Sequence, residues 1–501
     1  MLKLAPIFQD YAVLQRGEKI CVWGQCDPGA EVSVRLGQLY AVSRGDARGC
    51  WSVRLSTGDT ARGLKLVAQS GSETVTCENV CLGEVWLAGG QSNMEFPMKY
   101  DARRQQAYEL PPNMDLRYYC CPKVSYKQEP EDKNLENQGF WRIADRENLP
   151  WFSAVGYYFQ RELSQGLDGV PVGVIDCTWG GTSASCWMDD QYLTGDLDTY
   201  LALRRETEKL DLPRELETYR QVNRQRNTPE ALAAMDRMME TPIEVPSGFV
   251  PSPEEIEQFR RTKYAPFSPF SADTLYHTML EPVIPYTVKG FLWYQGEEDT
   301  NYPHLHRELL KQMIRCWRDA WQRHLPFLLV QLPTYKNPGG WNPLDYVPIR
   351  QAQEEAIRGT DCAWLVCTLD VGMPYEIHPK QKQPVGQRLA YQALHHVYGQ
   401  ELASDPPQVW HVEKRDGELR IRFSDCAGGL RLRHGNTPIR LTVNGETRIW
   451  TCTAEQDTLT IHIPGLRVTD RVRLEYAVVD YCEPTLFNSV GHPALPFTVV
   501  V

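Results

Sequence analysis

The stretch Glu84-Val-Trp-Leu-Ala-Gly-Gly-Gln-Ser-Asn-Met94 carries the reading of the fold. Its first five residues are nearly continuous in apolar character, as strands covered on both faces are. A glycine pair and a serine follow at once, the pattern of a strand running into a loop turn. Four further runs have the same texture: Val172-Gly-Val-Ile-Asp-Cys177, Gly290-Phe-Leu-Trp-Tyr294, Phe327-Leu-Leu-Val-Gln-Leu332 and Ala363-Trp-Leu-Val-Cys-Thr-Leu369. Helix-period segments accompany them. Val155, Phe159 and Leu163 repeat near 3.6 residues, as do Leu309, Met313, Ile314, Trp317 and Trp321, and then Val385, Leu389, Ala393, Leu394 and Val397. Strand and helix in alternation predict an α/β domain, an open parallel sheet wound with helices.

Outward from this centre the texture changes. Lys19–Gly24, Ala30–Arg35 and Gly49–Leu55 mix polar and apolar residues between Gly, Pro and Asp turns, and Glu418–Phe423, Ile439–Val443 and Arg471–Tyr476 do the same. Both flanks read as antiparallel β modules of sandwich type. The organisation expected is residues 1–80 as an N-terminal β module, 81–404 as the α/β domain and 405–501 as a C-terminal β module. A charge-rich helical piece broken by Pro213 and Pro229 and a proline-rich stretch, 190–269 together, read as an insertion or lid.

An open α/β sheet binds its ligand outside the carboxyl ends of its strands. Four strands deliver chemistry there: Gly89-Gly-Gln-Ser-Asn-Met94, Thr178-Trp-Gly-Gly-Thr-Ser183, Gln295-Gly-Glu-Glu298, and a segment ending Glu376-Ile-His-Pro379. A hydroxyl nucleophile needs a base for its proton, and imidazole suits that near neutral pH. Ser92 and His378 are therefore the candidate pair, although a turn serine capping a helix and a structural histidine are the plainer readings of each taken alone. Gly180, Gly181 and Gln295 are candidates to hold an oxyanion, through backbone N–H groups and a side-chain amide; a tight turn and a surface amide are the alternatives. Position 94 is Met, so the G-x-S-x-G elbow of the lipase type is absent. His304 and His306 lack a third ligand at metal spacing. Trp179 and Trp187 fit either sugar stacking or core packing; Glu297-Glu-Asp299 could hydrogen-bond around a site, but Glu298 and Asp299 read as a solvated loop or helix start.

The 501 residues carry 53 Lys and Arg against 64 Asp and Glu, a net charge of −11. That balance argues against an extended nucleic-acid surface. No run of about 18 apolar residues is present to span a membrane. The N-terminus has no apolar signal core, and the fifteen cysteines contain no C-x-x-C, so a cytoplasmic, reducing location is expected.

Taken together, Gly90-Gln-Ser-Asn-Met94, Trp179-Gly-Gly-Thr182, Trp293-Tyr-Gln-Gly-Glu297 and Ile377-His-Pro379 resemble the sialate O-acetylesterase family of carbohydrate esterases, within the SGNH (GDSL-type) hydrolases. Val13-Leu-Gln-Arg16 with Val22-Trp-Gly24, and Val472–Tyr476 with Leu486-Phe-Asn488 and Pro493–Phe497, extend the resemblance to both ends. It implies a three-layer α/β/α domain and a cofactor-free, metal-free serine esterase that acts on an O-acetylated sugar through an acetyl-serine. Sialic acid is the first substrate to consider; a plant polysaccharide and a non-catalytic glycan-binding protein are the alternatives. Ser92 would be the nucleophile and His378 the base, with Ser92, Gly180, Gly181 and Gln295 forming the oxyanion hole. The group orienting His378 is open between the Glu376 carboxylate, its carbonyl and Asp370, because Tyr375 stands where many SGNH enzymes have Asp. Gln91, Asn93, Trp179 and Glu297 are expected to touch substrate. So is His277, which replaces the Asn of the family's Leu-Tyr-Asn-x-Met motif, and Arg350 is the guess for a sugar carboxylate. Oligomeric state is open.

Overall fold

The run that opens at Glu84 is the second half of one long strand, β1 (Glu73–Gly90). The computed structural model describes residues 1–129, 138–241, 262–336, 344–433, 435 and 437–501. Up to Asn79, β1 is mostly open to solvent and pairs antiparallel with Ala61–Ser70; from Val80 to Gly90 every residue is buried. The buried half lies between two parallel neighbours, β4 (Val172–Thr178) and β5 (Gly290–Tyr294). The boundary drawn at 80/81 therefore falls inside a strand. The change of texture there marks where one strand passes from a half-exposed to a fully covered environment, while the hydrogen-bond ladder continues across it.

Counting β2 (Asn113–Cys120), β3 (Trp141–Ala144), β6 (Phe327–Val330) and β7 (Ala363–Val366), the central sheet runs β3-β2-β4-β1-β5-β6-β7. All neighbours are parallel except β3, which is antiparallel to β2. Alternate side chains of β1 point to opposite faces, as the two-residue period of a strand requires. Val85 and Leu87 join a core with Leu309, Met313 and Trp317 of α4 (Pro303–Trp321). Trp86 and Ala88 join another with Val155 and Phe159 of α2 (Ala154–Gly166) and Val385 and Leu389 of α6 (Gln383–Gln392). The domain is thus a three-layer α/β/α sandwich. No described helix is long and apolar enough to cross a membrane.

The C-terminal module has two four-stranded antiparallel sheets. One is made of Gln408–Arg415, Glu418–Ser424, Thr458–His462 and Thr451–Glu455; the other of Glu446–Thr447, Ile439–Val443, Val472–Tyr476 and Phe497–Val500. Their alternating apolar residues, among them Leu419, Ile421, Leu441 and Leu474, are buried. In the insertion, Pro213 and Pro229 stand in the first turns of Leu212–Arg226 and α3 (Pro229–Glu240). They start helices rather than break one, because a proline's missing N–H costs nothing in a first turn. The remainder of the predicted insertion at 242–261 lies outside the described residues.

Trp317 shows what holds a helical layer on the sheet. It is fully buried, edge-on to Phe291 and Trp293, and its indole N–H donates to Trp187 O at 2.7 Å. Replacing it with Ala is expected to cost about 3–5 kcal/mol through lost contacts and a cavity, read as a lowered denaturant midpoint. A loss below about 1 kcal/mol would contradict this packing.

Candidate active site

Parallel register brings three turns to one level. Gly90 ends β1, opposite Thr178 of β4 and Tyr294 of β5. It has φ +131°, and a Cβ there would meet Tyr294 O at 2.2 Å, so the position admits only glycine. Gln91 then caps the short helix α1 (Ser92–Glu95). The next turn is tied in by Trp179 N–H, which donates to Gly90 O at 3.1 Å. This leaves Gly180 so close to Ser92 that an added Cβ would stand 3.3 Å from the Ser92 Cβ.

His378 arrives from the loop after β7. Its Nε2 lies 2.9 Å from Ser92 Oγ. The imidazole side chain is 18% exposed and packs near the Phe96 ring. Burial, followed by the cations Lys382 and Lys380, pushes its pKa down to about 3. An imidazole so disposed stays neutral across the neutral range and keeps the Nε2 lone pair needed to accept a serine proton. Ser92 is the first residue of α1, so no helical carbonyl precedes its N–H as acceptor. The pair therefore offers a hydroxyl beside a neutral base, with a backbone donor at the same residue.

The orienting group differs between the candidates. Glu376 Oε1 accepts the backbone N–H of His378 at 2.9 Å and lies 3.8 Å from its Nδ1, while Oε2 pairs with Lys380 at 3.1 Å. The carboxylate thus braces the loop and faces the ring from beyond hydrogen-bond length. Asp370 is taken up by Arg388, through two bonds of 2.7 Å, which removes it as an orienting group.

Several sequence expectations need correction. Gln295 is fully buried, and its amide donates to Thr182 O (3.1 Å) and Asp299 Oδ2 (2.8 Å). Both partners only accept, so the two N–H groups are committed and Gln295 is not an oxyanion donor. Gly180 N–H likewise donates to Glu95 Oε2 at 2.9 Å, leaving Ser92 and Gly181 as the backbone donors of the expected set. Gln91, Asn93 and Glu297 do not face substrate. Each is at least 97% buried: Gln91 Oε1 accepts Glu298 N–H at 3.4 Å, and Asn93 Nδ2 donates to Glu297 Oε1 at 2.5 Å. Arg350, also buried, spends its guanidinium on Pro333 O and Val479 O, pinning the C-terminal module to the α/β domain. His277 is half exposed and faces Glu281 (3.3 Å) and Asp189 (4.0 Å), neither of which belongs to the Ser92 cluster. Trp179, partly buried, stays beside the Ser92 turn with Lys123 Nζ 5.6 Å from its ring centroid.

Asp299, expected in a solvated loop, is buried. Its carboxylate accepts from Ser183 Oγ (2.5 Å) and Ala184 N–H (3.2 Å) as well as Gln295, and lies 3.4 Å from His306 Nδ1. Burial alone would raise this carboxyl; His306, Ser183 and Gln295 outweigh it and hold it below the usual range. Four charged residues were not singled out in the sequence: Glu95, Lys123, Lys380 and Lys382. Glu95 sits one helical turn beyond Ser92 and pairs with Lys123. Lys380 and Lys382 follow His378 by two and four residues, a spacing that was the available signal. Among the described residues, His395, His396 and Asp405 have ligand atoms within 4.8 Å of one another. They share no residue with the Ser92 cluster, and Asp405 is occupied there by His396 (2.8 Å) and Ser404 (3.0 Å).

Comparison with known proteins points the same way. Residues 234–395 match the family model described as a carbohydrate esterase, sialic acid-specific acetylesterase. The mouse sialate O-acetylesterase is 25% identical over 437 residues, 80% of this chain and 74% of the mouse protein. Its human counterpart is 24% identical over 423 residues, 76% and 68% of the two chains. A carbohydrate acetylesterase from Xanthomonas citri has a solved structure that superposes with a TM-score of 0.76 at 26% identity, over 99% of both chains.

The depressed imidazole pKa has a readable consequence. Modification of Ser92 by a fluorophosphonate should keep its rate as pH falls through the ordinary histidine value of about 6.5, with the acid limb lying below it. A limb centred at or above 6.5 would contradict the environment described for His378.

Proposed function

We propose, from the premise that the chain is a carboxylic ester hydrolase related to the sialate O-acetylesterases, that it removes O-acetyl groups from carbohydrate through an acetyl-Ser92 intermediate. The single observation that supports this most is the 2.9 Å approach of Ser92 Oγ to His378 Nε2. Ser92 Oγ attacks the acetyl carbonyl carbon as its proton passes to His378 Nε2. The carbonyl oxygen becomes an oxyanion within reach of backbone N–H groups at the Ser92 turn. The bond from the carbonyl carbon to the sugar oxygen then breaks, and His378 returns the proton to that oxygen. Water attacks the acetyl-serine next, giving a proton to His378. Acetate leaves, and the proton goes back to Ser92 Oγ.

The acyl group is small, so discrimination rests on contacts with the sugar. Trp179, beside the Ser92 turn, offers an apolar ring face to it. The names of its relatives, sialate O-acetylesterases, make O-acetylated sialic acid the first substrate to consider. With Arg350 buried on carbonyl oxygens, a sugar carboxylate would need another cation, and Lys123 stands on this edge beside Glu95. The fifteen cysteines, all unpaired, support a reducing, cytoplasmic location.

Acetate release from a panel of O-acetylated sialic acids and acetylated plant sugars tests the reading. Sialic acid esters are expected to lead, and Ser92→Ala and His378→Ala to lower kcat by at least about a thousandfold. Substantial Ser92→Ala activity would refute the assignment, and preference for plant sugars would move the substrate class. Glu376→Gln keeps an oxygen acceptor for the His378 N–H, so its kcat should stay within about tenfold of wild type.

A further inference from the structure

Lys382 lies in the loop that leads into α6 and is fully buried, with no role in the chemistry above. A buried cation is costly unless something compensates it. Here its Nζ donates to Asn93 Oδ1 at 2.5 Å and sits over the rings of Phe96 (4.7 Å) and Tyr294 (5.5 Å). Its backbone N–H donates to Asp101 Oδ2 at 3.0 Å. Asn93 is the residue directly after Ser92. The other end of its amide donates to Glu297 Oε1 (2.5 Å) and to Ile377 O (3.0 Å), the carbonyl directly before His378. One side-chain amide thus spans the nucleophile's turn and the base's loop. Its orientation is imposed from both sides, by an ammonium that can only donate and a carboxylate that can only accept.

We propose that Lys382, acting through Asn93 with Glu297 as counter-charge, is the positioning residue that holds the Ser92 and His378 loops at bonding distance. Without the ammonium, the Asn93 amide is held from one side only, its Oδ1 is left buried without its donor, and its hold on Ile377 O is loosened. This rests on the serine esterase reading. It goes beyond it by assigning an alignment function to three residues that touch neither substrate nor reacting atoms. The charged groups that face Lys382 are Glu297, Asp101, Lys380 and Glu376. Burial, set against Glu297 and Asp101, lowers its pKa to about 7, and its charge in turn is the second cause of the low His378 pKa. Removing it is therefore expected to raise the His378 pKa, whereas breaking the bridge at Asn93 takes no charge from around the imidazole.

The test uses the full-length chain and Lys382→Met, which keeps most of the stem and removes the charge. Expected are a kcat at least tenfold lower on an aryl acetate, a KM within about twofold, and an upward shift of the His378 imidazole titration, followed by NMR, of at least about half a pH unit. The titration needs no turnover, so the alignment proposal is judged even if the wild-type chain releases acetate from no ester, in which case the esterase reading alone fails. Should Lys382→Met not fold, Asn93→Ala removes the bridge and no charge. It is expected to lower kcat at least tenfold with the His378 titration in place. Wild-type kcat in either variant, or an unmoved titration in Lys382→Met, would overturn the proposal.

Discussion

Everything at the active edge depends on one point of strand register, the placing of Gly90 opposite both Thr178 and Tyr294. Three strands end at the same height because of it, and the three turns that follow have to meet. The approach is so close that no side chain fits at Gly90. Parallel strands make this arrangement general, since their carboxyl ends all lie on one edge. What is particular here is the tightness of the approach, reinforced by the Trp179 N–H to Gly90 O bond.

The histidine comes from a more distant part of the chain, and its placing is a separate problem. No strand pairing joins β7 to β1, which are three places apart in the sheet. The link is made by side chains: Asn93 to the Ile377 carbonyl, Glu376 to the His378 N–H, and Lys382 behind them. Asn93, Glu376 and Lys382 are buried and the His378 loop partly so, and each bond joins groups of complementary hydrogen-bonding character. Such networks hold one geometry well, because any rearrangement strands a polar group away from water. The same burial, with two lysines nearby, keeps the imidazole neutral.

The fold was largely legible in the primary structure, for an identifiable reason. Residues such as Val172–Cys177 and Gly290–Tyr294 are apolar on both strand faces, which few contexts other than a covered parallel strand require. The convergence of Ser92, Gly180 and His378 followed from where strands end. Side-chain direction did not follow. Gln295 looked like a free amide at a strand end, yet Asp299, four residues on, captures it. Arg350 was read by its charge, but its guanidinium serves backbone carbonyls between two modules. The boundary at 80/81 falls inside a strand for a related reason: a change of composition shows a change of environment, and strand continuity is a matter of hydrogen bonds.

The central claim is that acetyl passes through Ser92 with His378 as its proton carrier. Peptide mapping by mass spectrometry, after rapid acid quench of turnover on an activated acetyl ester, addresses it most directly. The account predicts an acetyl group on the peptide containing Ser92, gained and lost on the timescale of turnover. Steady acetate release with that peptide unmodified at every quench time, or with the acetyl on another side chain, would contradict it.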